Sequence, residues 1–352
     1  MTSRVVHGLR RTSVIGFTLA FALAACSSGS GSSSSAPAAS GSAATTAQPA
    51  RAKIVVGISA PVLAFAPLYV AKEKGFWEAE NLDVELTSFK SGTENQQALL
   101  GDAIDIGAGG YTEPITLTSQ GAATVVFASS EDGLPHKLVA TKDITDVSQL
   151  VGKTLGVSKI GSLSDQITRI ALTKAGIDTD KVKFQQAGDA PSRLAALEAG
   201  AIDGTILSSP SDELAVKAGF SMLIDVAKQL PGFAYELLYA KKTTIESKQD
   251  AFLRFMKGYI RGAQYVTDAA NREEVLAITA EATGQKAEDF EITYDQHINE
   301  IPPTGQPNLG GIEQALDGTK RFGGLEGADK LTADELFYPD LQQAAAQALG
   351  LK

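Results

Sequence analysis

The chain has 352 residues, 43% hydrophobic and 20% charged, and its 41 acidic and 31 basic side chains give a formal charge of −10. It is long enough for two lobes, and the acidic balance argues against a nucleic-acid binder. One cysteine and three histidines exclude a disulfide framework, a cysteine-based zinc site and a multi-histidine metal centre. We therefore expect no metal and no cofactor.

The first 25 residues have the pattern of a secretion signal. Arg4, Arg10 and Arg11 precede an apolar run over residues 14–25. This run is too short for a membrane-spanning helix, which needs about 20 apolar residues. It ends in Leu-Ala-Ala-Cys26, which resembles the bacterial lipobox. The resemblance implies that Cys26 receives a diacylglycerol and becomes the new N-terminus; the alternative is a buried or chance cysteine.

Residues 26–51 are predicted to be a disordered tether. They are rich in Ser, Gly, Ala and Thr and carry no charge before Arg51. A flexible tether of this length spans roughly 25–30 Å on average. Removing the signal takes away three arginines and no acid, so the formal charge of −10 becomes −13. We expect the lipid to be the only contact of this acidic protein with a membrane.

Apolar runs alternate with helical patterns from residue 52 to about residue 238, which predicts an α/β architecture. Beyond residue 251 the apolar spacing is helical, and we expect these helices to pack on the first lobe. The predicted elements of the first part are strand 53–58, helix 67–78, strand 84–86, helix 91–100, strand 103–107, strand 123–127, strand 153–157, helix 164–174, strand 182–184, helix 191–199 and strand 201–206.

An internal repeat supports two lobes of similar plan. The pattern Ala-Leu followed by Ala-Ile-Asp occurs at residues 98–105 and again at 196–203, an offset of 98 residues. Two apolar runs are predicted to be the crossover strands that end the first and the second lobe, at 137–141 and 236–240. The expected division is residues 52–138 plus 241–352 for lobe 1, with the C-terminal helices, and residues 139–240 for lobe 2.

Five motifs occur in a characteristic order. They are Gly-Ile-Ser-x-Pro at 57–61, Ala-Pro-Leu-Tyr-Val-Ala-Lys-Glu-Lys-Gly-Phe-Trp at 66–77, Leu-Gly-Asp-Ala-Ile-Asp-Ile-Gly at 100–107, Leu-x-Gly-Lys-x-Leu-Gly at 150–156 and Leu-Glu-Ala-Gly-Ala-Ile-Asp at 197–203. Together they resemble the substrate-binding proteins of bacterial ABC importers. The nearest group includes sulfonate-, taurine- and nitrate-binding proteins and the THI5-like binders of thiamine pyrimidines.

The resemblance implies a two-lobed periplasmic-binding-protein type II fold, with two βαβ lobes joined by two crossover strands. It implies a monomer outside the cytoplasm that closes its lobes on a small polar organic solute and delivers it to an ABC permease and its ATPase. The expected solute is a sulfonate, taurine, nitrate or a similar anion. The alternatives are a pyrimidine, thiamine precursor or other aromatic heterocycle, or a role as ligand sensor for a membrane kinase.

Open α/β sheets bind ligands at the carboxyl ends of their strands, which names the candidate site residues. Gly92 and Gly110 would allow close approach of a ligand to the backbone, and Phe65 and Tyr111 would flank it. In the second lobe, Gly161 and Ser162 begin a helix. The candidates are Pro61, Phe65, Ser91, Gly92, Gly110, Tyr111 and Glu113 in the first lobe, and Gly161, Ser162, Asp189, Ser208 and Ser209 in the second.

The charge of the solute is left open by these residues. The free N–H groups at the helix that begins near Ser162 suit an anion, but Ser162 also suits a helix cap, and the nearby Asp165 argues against an anion. Serines at 208–209, where sulfonate binders often have aromatic residues, also put a sulfonate in doubt. Lys90, Lys159 and Arg193 would balance an anion, whereas Glu113, Glu131 and Asp132 would favour a cation or a zwitterion.

Motifs for catalysis are incomplete. Val147 occupies the position of the first glycine of a phosphate loop that would end at Gly152-Lys153, and there is no nucleophile elbow. His136 and His297 have no nucleophile motif beside them. The eukaryotic thiamine-pyrimidine synthases, which resemble this group, depend on a cysteine cluster and a histidine that the chain lacks. We therefore expect a binding protein and not an enzyme.

Overall fold

A computed structural model describes residues 50–351. The predicted signal peptide, Cys26 and nearly all of the predicted tether lie outside the described residues. The described residues belong to one compact unit. Two five-stranded sheets with helices around them make it a mixed α/β protein, which confirms the predicted fold class.

The two sheets have the same plan. The first has the strand order β2-β1-β3-β10-β4, and the second has the order β7-β6-β8-β5-β9. In each, three parallel strands are followed by a strand that is antiparallel to both of its neighbours, β10 or β5. The strands are β1 (Ala52–Ile58), β2 (Leu82–Ser88), β3 (Ile106–Gly110), β4 (Thr124–Asp132), β5 (His136–Ala140), β6 (Thr154–Val157), β7 (Lys183–Gln186), β8 (Gly204–Ser208), β9 (Ser221–Asp225) and β10 (Ala234–Lys241).

Helices connect the strands and form most of the chain after β10. They are α1 (Ala66–Glu73), α2 (Gly92–Leu100), α3 (Thr112–Ser119), α4 (Leu163–Lys174), α5 (Ala190–Glu198), α6 (Ser211–Lys217), α7 (Val226–Gln229), α8 (Lys242–Ser247), α9 (Gln249–Thr267), α10 (Arg272–Thr283), α11 (Ala287–Ile298), α12 (Leu309–Phe322), α13 (Ala333–Leu336) and α14 (Asp340–Ala348).

The crossover strands belong to the sheets they enter. β5 was expected to end the first lobe, but it pairs with β8 and β9 of the second sheet. β10 was expected to end the second lobe, but it pairs with β3 and β4 of the first sheet. The chain therefore changes sheet between Asp132 and His136 and returns between Asp225 and Ala234. The sequence predicted the two runs as strands, but it did not show which neighbours would satisfy their backbone hydrogen bonds.

The repeat is present in the structure at the same offset. α2 and α5 are related by 98 residues, and so are β3 and β8. In both halves the aspartate of the motif accepts a backbone N–H from the adjacent parallel strand. Asp105 accepts from Val55 at 3.0 Å, and Asp203 accepts from Thr154 at 2.8 Å. Strands β3 and β8 were expected to begin about three residues earlier. In the structure each begins directly after the aspartate whose side chain makes this hydrogen bond.

The apolar core crosses from one sheet to the other. One cluster joins Tyr239 of the first sheet and Ile206 of the second through Phe233 and Ile312. The C-terminal helices were expected to pack on the first lobe. α14 does so against α9, and α12 packs both against β10 of the first sheet and against α4, which lies beside the second sheet. Gly318 permits the close approach to α4, because an added Cβ would lie 2.3 Å from Cδ1 of Ile170.

Candidate functional site

Glu113 lies in the first turn of α3, where the carboxyl ends of β1 and β3 meet. Its Oε2 accepts hydrogen bonds from Oη of Tyr239 at 2.5 Å and from Nδ2 of Asn95 at 3.3 Å. Ser59 and the backbone of Gly110 also hydrogen-bond the carboxylate. Burial raises the pKa of Glu113, and these hydrogen bonds oppose the rise. Through these hydrogen bonds Glu113, on α3, connects the carboxyl ends of β1 and β3, helix α2 and the crossover strand β10.

Close contact with Glu113 explains two glycines of this edge. An added Cβ would lie 2.7 Å from its Oε1 at Gly92, and 2.2 Å from the same atom at Gly109. At Gly110 an added Cβ would have nothing within 4 Å. Of the two glycines predicted to admit a ligand, Gly92 makes room for a side chain of the protein itself. Only Gly110 faces open space.

Two further glutamates are buried beside this edge. Glu131 of β4 and Glu236 of β10 are in register, and they are 0% and 9% exposed. Oε1 of Glu131 pairs with Nδ1 of His297, on α11, at 2.5 Å. Burial alone would lower the pKa of His297, but the charge and hydrogen bond of Glu131 leave it raised. Burial, followed by the charges of Glu131 and Glu113, raises the pKa of Glu236 well above its ordinary value.

The second sheet meets this edge through His136, the first residue of β5. Its ring contacts the ring of Tyr235 edge-on, with centroids 5.8 Å apart. His136 pairs in register with Ser208, at the carboxyl end of β8, as Glu236 pairs with Gly110 at the carboxyl end of β3. The carboxyl edges of the two sheets therefore meet where the crossover strands begin. Burial, with Arg193 and His297 nearby, lowers the pKa of His136 to about 4, so the ring is neutral.

Charged groups of the second sheet complete the surroundings of His136. Asp212 is fully buried and pairs with Nζ of Lys137 at 2.6 Å. The buried Arg193 donates to Oγ1 of Thr205, to the carbonyl of Gly188 and to a β8 carbonyl. A cavity of about 570 Å³ lies between this region and the end of α11, and His136, Lys137, Asp225, Gln296 and Glu300 are among its lining residues.

Side chains of the protein occupy the loop just before α4, but Ser162, which was expected to cap the helix, makes no capping hydrogen bond to its first turn. Oδ2 of Asp165 accepts the N–H of Gly161 at 2.8 Å, and its Oδ1 accepts from Nε of Arg169. The Oγ of Ser162 makes hydrogen bonds with Ser158 and Ser164. The N–H that an incoming anion would use at Gly161 is thus already bonded to a carboxylate, as the presence of Asp165 in the sequence had indicated.

The other predicted residues lie in varied surroundings. Phe65 and Tyr111 are 0% exposed, and Tyr111 packs edge-on against Phe233 with centroids 5.1 Å apart, so both are core residues in this structure. The remaining five residues stand at the surface or at element ends. The Pro61 carbonyl accepts from Gln285, Ser91 caps α2, Asp189 caps α5, Ser208 ends β8, and Ser209 hydrogen-bonds Gln296 of α11.

No group of three or more potential metal ligands was found within residues 50–351. In the same part of the chain, none of the helices has the length and apolar character needed to cross a bilayer.

Comparison with known proteins supports the fold and the family. Residues 63–272, more than half of the chain, match the family described as NMT1/THI5 like. The chain belongs to this family. A curated relative is YtlA of Bacillus subtilis (strain 168), whose name describes a binding protein. It is 26% identical over 258 residues, which cover 72% of this chain and 77% of YtlA.

Two solved structures share the fold. The periplasmic nitrate-binding protein NrtA from Synechocystis PCC 6803 superimposes with a TM-score of 0.62 at 17% identity, covering 84% of this chain and 89% of NrtA. The periplasmic aliphatic sulphonate-binding protein SsuA from Escherichia coli gives 0.63 at 19% identity, covering 82% of this chain and 99% of SsuA. At these identities the likeness concerns the fold alone.

Four residues that shape the site were not predicted from the sequence as site residues. They are Asn95, Glu236, Tyr239 and His297. A signal for Glu236 was available, because it is the one acid inside the apolar run 234–240. A carboxylate within a buried strand needs a partner, and such groups concentrate at functional sites. Asn95 and Tyr239 carried no comparable signal, since their partners lie 18 and 126 residues away from them.

Proposed function

We propose that this protein is the solute-binding component of an ABC import system. In this role it captures a small polar solute between its two lobes, outside the cytoplasm, and delivers the solute to a permease and its ATPase. Membership of the NMT1/THI5-like family and relatives named as binding proteins support the proposal. The proposed lobes are the parts of the chain built on the first and on the second sheet.

The observation that carries this proposal is the meeting of two carboxyl edges. Three parallel strands in each sheet direct their carboxyl ends to the region where β5 and β10 begin. Ligands of open α/β sheets bind at such edges, and two-lobed receptors close on them by a hinge motion. His136 and Tyr235 contact each other across this boundary. A solute bound there would be held by both sheets.

A thermal-shift panel on the purified protein tests the receptor role. The panel contains taurine, ethanesulfonate, nitrate, 4-aminopyrimidine, thiamine, putrescine and agmatine. A solute at 100 times its Kd stabilises the folded state by about 2.7 kcal/mol, which is a measurable rise in Tm. Binding of at least one panel solute is expected. Absence of binding across the panel would contradict the receptor role.

We also propose that Cys26 anchors the protein by a lipid and that the folded part is monomeric and not catalytic. The Leu-Ala-Ala-Cys26 sequence supports the anchor, because two or three acyl chains hold a protein stably at a membrane. Cys26→Ser is expected to release the protein from the membrane fraction into the medium. Retention of the variant in the membrane fraction would refute the anchor.

A sensor that reports to a membrane kinase is the alternative that uses the same binding site. Deletion of the gene for this protein separates the two roles. Loss of solute uptake with unchanged gene expression supports import, whereas a lost transcriptional response with unchanged uptake supports sensing.

A further inference from the structure

Buried acceptor atoms without partners gather where the two sheets meet. Oε2 of Glu131 and Oε2 of Glu236 are buried and have no hydrogen-bond partner, and the same holds for Oδ1 of Asp212. Nδ1 of His136 and Oη of Tyr111 are also buried and unpartnered. Buried polar atoms normally have partners, and an unpaired one costs roughly 1–3 kcal/mol. Three of these five atoms are carboxylate oxygens, which accept hydrogen bonds when ionised and cannot donate.

Electrostatic interactions link these groups into one network. Glu236 interacts with Glu131 and Glu113, and His297 interacts with Glu131 and Asp212. His136 in turn interacts with His297 and Asp212. Within residues 50–351, His297 is the one basic group that pairs with Glu131, and none forms an ion pair with Glu236. The network therefore leaves buried carboxylate oxygens without a hydrogen-bond donor.

We propose that the solute of this receptor carries a cationic nitrogen group, an amine or an amidine, which binds between Glu131 and Glu236. This inference rests on the proposed receptor function and names the class of its solute. The nitrogen group donates hydrogen bonds to the free Oε2 atoms and balances the charge of Glu236. His136 belongs both to this network and to the lining of the 570 Å³ cavity, which provides space for the rest of the molecule.

Binding of an anion is disfavoured by the same geometry. Burial of a carboxylate near another buried carboxylate is already costly, and an anion would add to this repulsion. At the start of α4, the N–H of Gly161 is already bonded to the carboxylate of Asp165, whose negative charge disfavours an anion there. Arg193, the buried cation on the second sheet, already donates from all three of its side-chain nitrogens to oxygens of the protein.

Binding of the nitrogen group is coupled to a proton. Burial raises the pKa of Glu236 well above its ordinary value, which favours the protonated carboxyl group when no solute is bound. A cation that takes the place of this proton releases it to the solvent. The neighbouring titratable groups are Glu113 on α3, Glu131 on β4, Tyr235 and Tyr239 on β10, and His297 on α11, which already shares a hydrogen bond with Glu131.

Isothermal titration of the purified protein tests the assignment with two sets of probes. One set contains putrescine and agmatine, and the other contains nitrate and ethanesulfonate. We expect a probe of the first set to bind. Glu236→Gln and Glu131→Gln should each weaken its binding at least tenfold, because each removes a negatively charged partner of the nitrogen group. Glu326→Gln, at an exposed position, is the matched control and should leave Kd unchanged.

A second measurement uses the wild-type chain alone and so does not depend on the folding of a variant. Titrations in two buffers with different ionisation enthalpies report the protons exchanged on binding. Proton release is expected for the nitrogen probe. Binding of nitrate or ethanesulfonate with no nitrogen probe bound would overturn the assignment and leave the receptor role intact. Failure of every probe contradicts both, and unchanged affinity in both Gln variants refutes these glutamates as the site.

Discussion

At the scale of single residues, buried carboxylates organise the site, and each has a different role. Glu113 is satisfied by donors of the protein, so we assign it a positioning role. Oε1 of Glu131 pairs with His297 while its Oε2 has no partner, and Oε2 of Glu236 has no partner either. Three acids that look equivalent in the sequence thus differ in the partners that the fold brings to them.

The contact between Gly109 and Glu113 gives the first prediction. Gly109→Ala should lower the free energy of unfolding by about 2–3 kcal/mol, because the new Cβ would overlap Oε1 of Glu113 and Oγ of Ser59. Gly110→Ala is the matched control, and it should change stability by less than about 0.5 kcal/mol because its Cβ meets no atom within 4 Å. Urea unfolding measures both. Equal effects at the two positions would contradict the packing described.

The buried Asp132 gives a prediction about pH. Burial, followed by the charges of Glu300 and Glu131, raises its pKa to about 7, against the hydrogen bond from Ser129. The folded state therefore retains a proton that the unfolded chain loses at about pH 4, and the stability due to this group falls as pH rises toward 7.

Asp132→Asn should remove this loss and keep the hydrogen bond from Ser129. The variant is expected to be more stable than the wild type at pH 8, on the order of 2 kcal/mol, with a smaller difference at pH 5. Thermal unfolding at the two pH values measures the difference. A gap of the same size at pH 5 and pH 8 would rule out titration of Asp132 as its cause.

At the scale of elements, the repeat carried most of what could be predicted. Local patterns are enough for α2 and α5, since Ser91 and Asp189 cap them and apolar spacing runs through both. Equivalent residues even make equivalent hydrogen bonds, since Asn95 donates to the carbonyl of Ala108, and Arg193 donates to that of Ile206, 98 residues further on. Strands β3 and β8 begin later than predicted, because at Asp105 and Asp203 the side-chain carboxylate, and not the main-chain carbonyl, accepts the N–H of the adjacent strand.

The repeated aspartates should contribute equally and independently. Asp105→Ala and Asp203→Ala are each expected to cost about 1–2 kcal/mol, because each leaves the N–H of a neighbouring strand without its carboxylate partner. The double variant should show the sum to within about 0.5 kcal/mol, since the two residues immediately precede strands of different sheets. Urea unfolding provides the values, with exposed Asp329→Ala as the control. Strong non-additivity would indicate coupling between the sheets at these sites.

At the scale of the whole molecule, pairing between distant segments is what local patterns could not supply. The sequence predicted two lobes and two crossover runs, but the sheet that each run joins depends on partners at least 64 residues away in all four strand pairings of the two runs. The same applies to Phe65 and Tyr111, which lie at predicted ligand positions yet are buried by surrounding elements. Pattern alone could not separate a residue that lines a cleft from one that lies beneath it.

The shared core predicts that the two sheets unfold together. Trp77, the single tryptophan, stacks on Phe255 beside the first sheet and reports on that side by fluorescence. Far-UV circular dichroism reports on both sides. The two urea transitions should coincide, because the apolar cluster around Phe233 is continuous between the sheets.

Phe233→Ala tests the same core. The residue is fully buried against Tyr111, so the variant should lose about 3–4 kcal/mol of stability. Leu214→Ala, at an exposed apolar position, is the control and should change little. Separate fluorescence and dichroism midpoints in the wild-type protein would show that the sheets unfold independently.

Helix α12 touches both halves of the molecule with its own backbone. An added Cβ at Gly311 would lie 2.2 Å from the carbonyl oxygen of Gly232, just before β10, and one at Gly318 would meet Ile170 of α4. The two glycines are seven residues apart, which places them two turns apart on one side of the helix. At both contacts the helix has a glycine and therefore no long, flexible side chain that could absorb a displacement. A change in the angle between the two sheets would therefore displace α12 as a rigid body. In this way α12 couples the movement of one half of the molecule to that of the other.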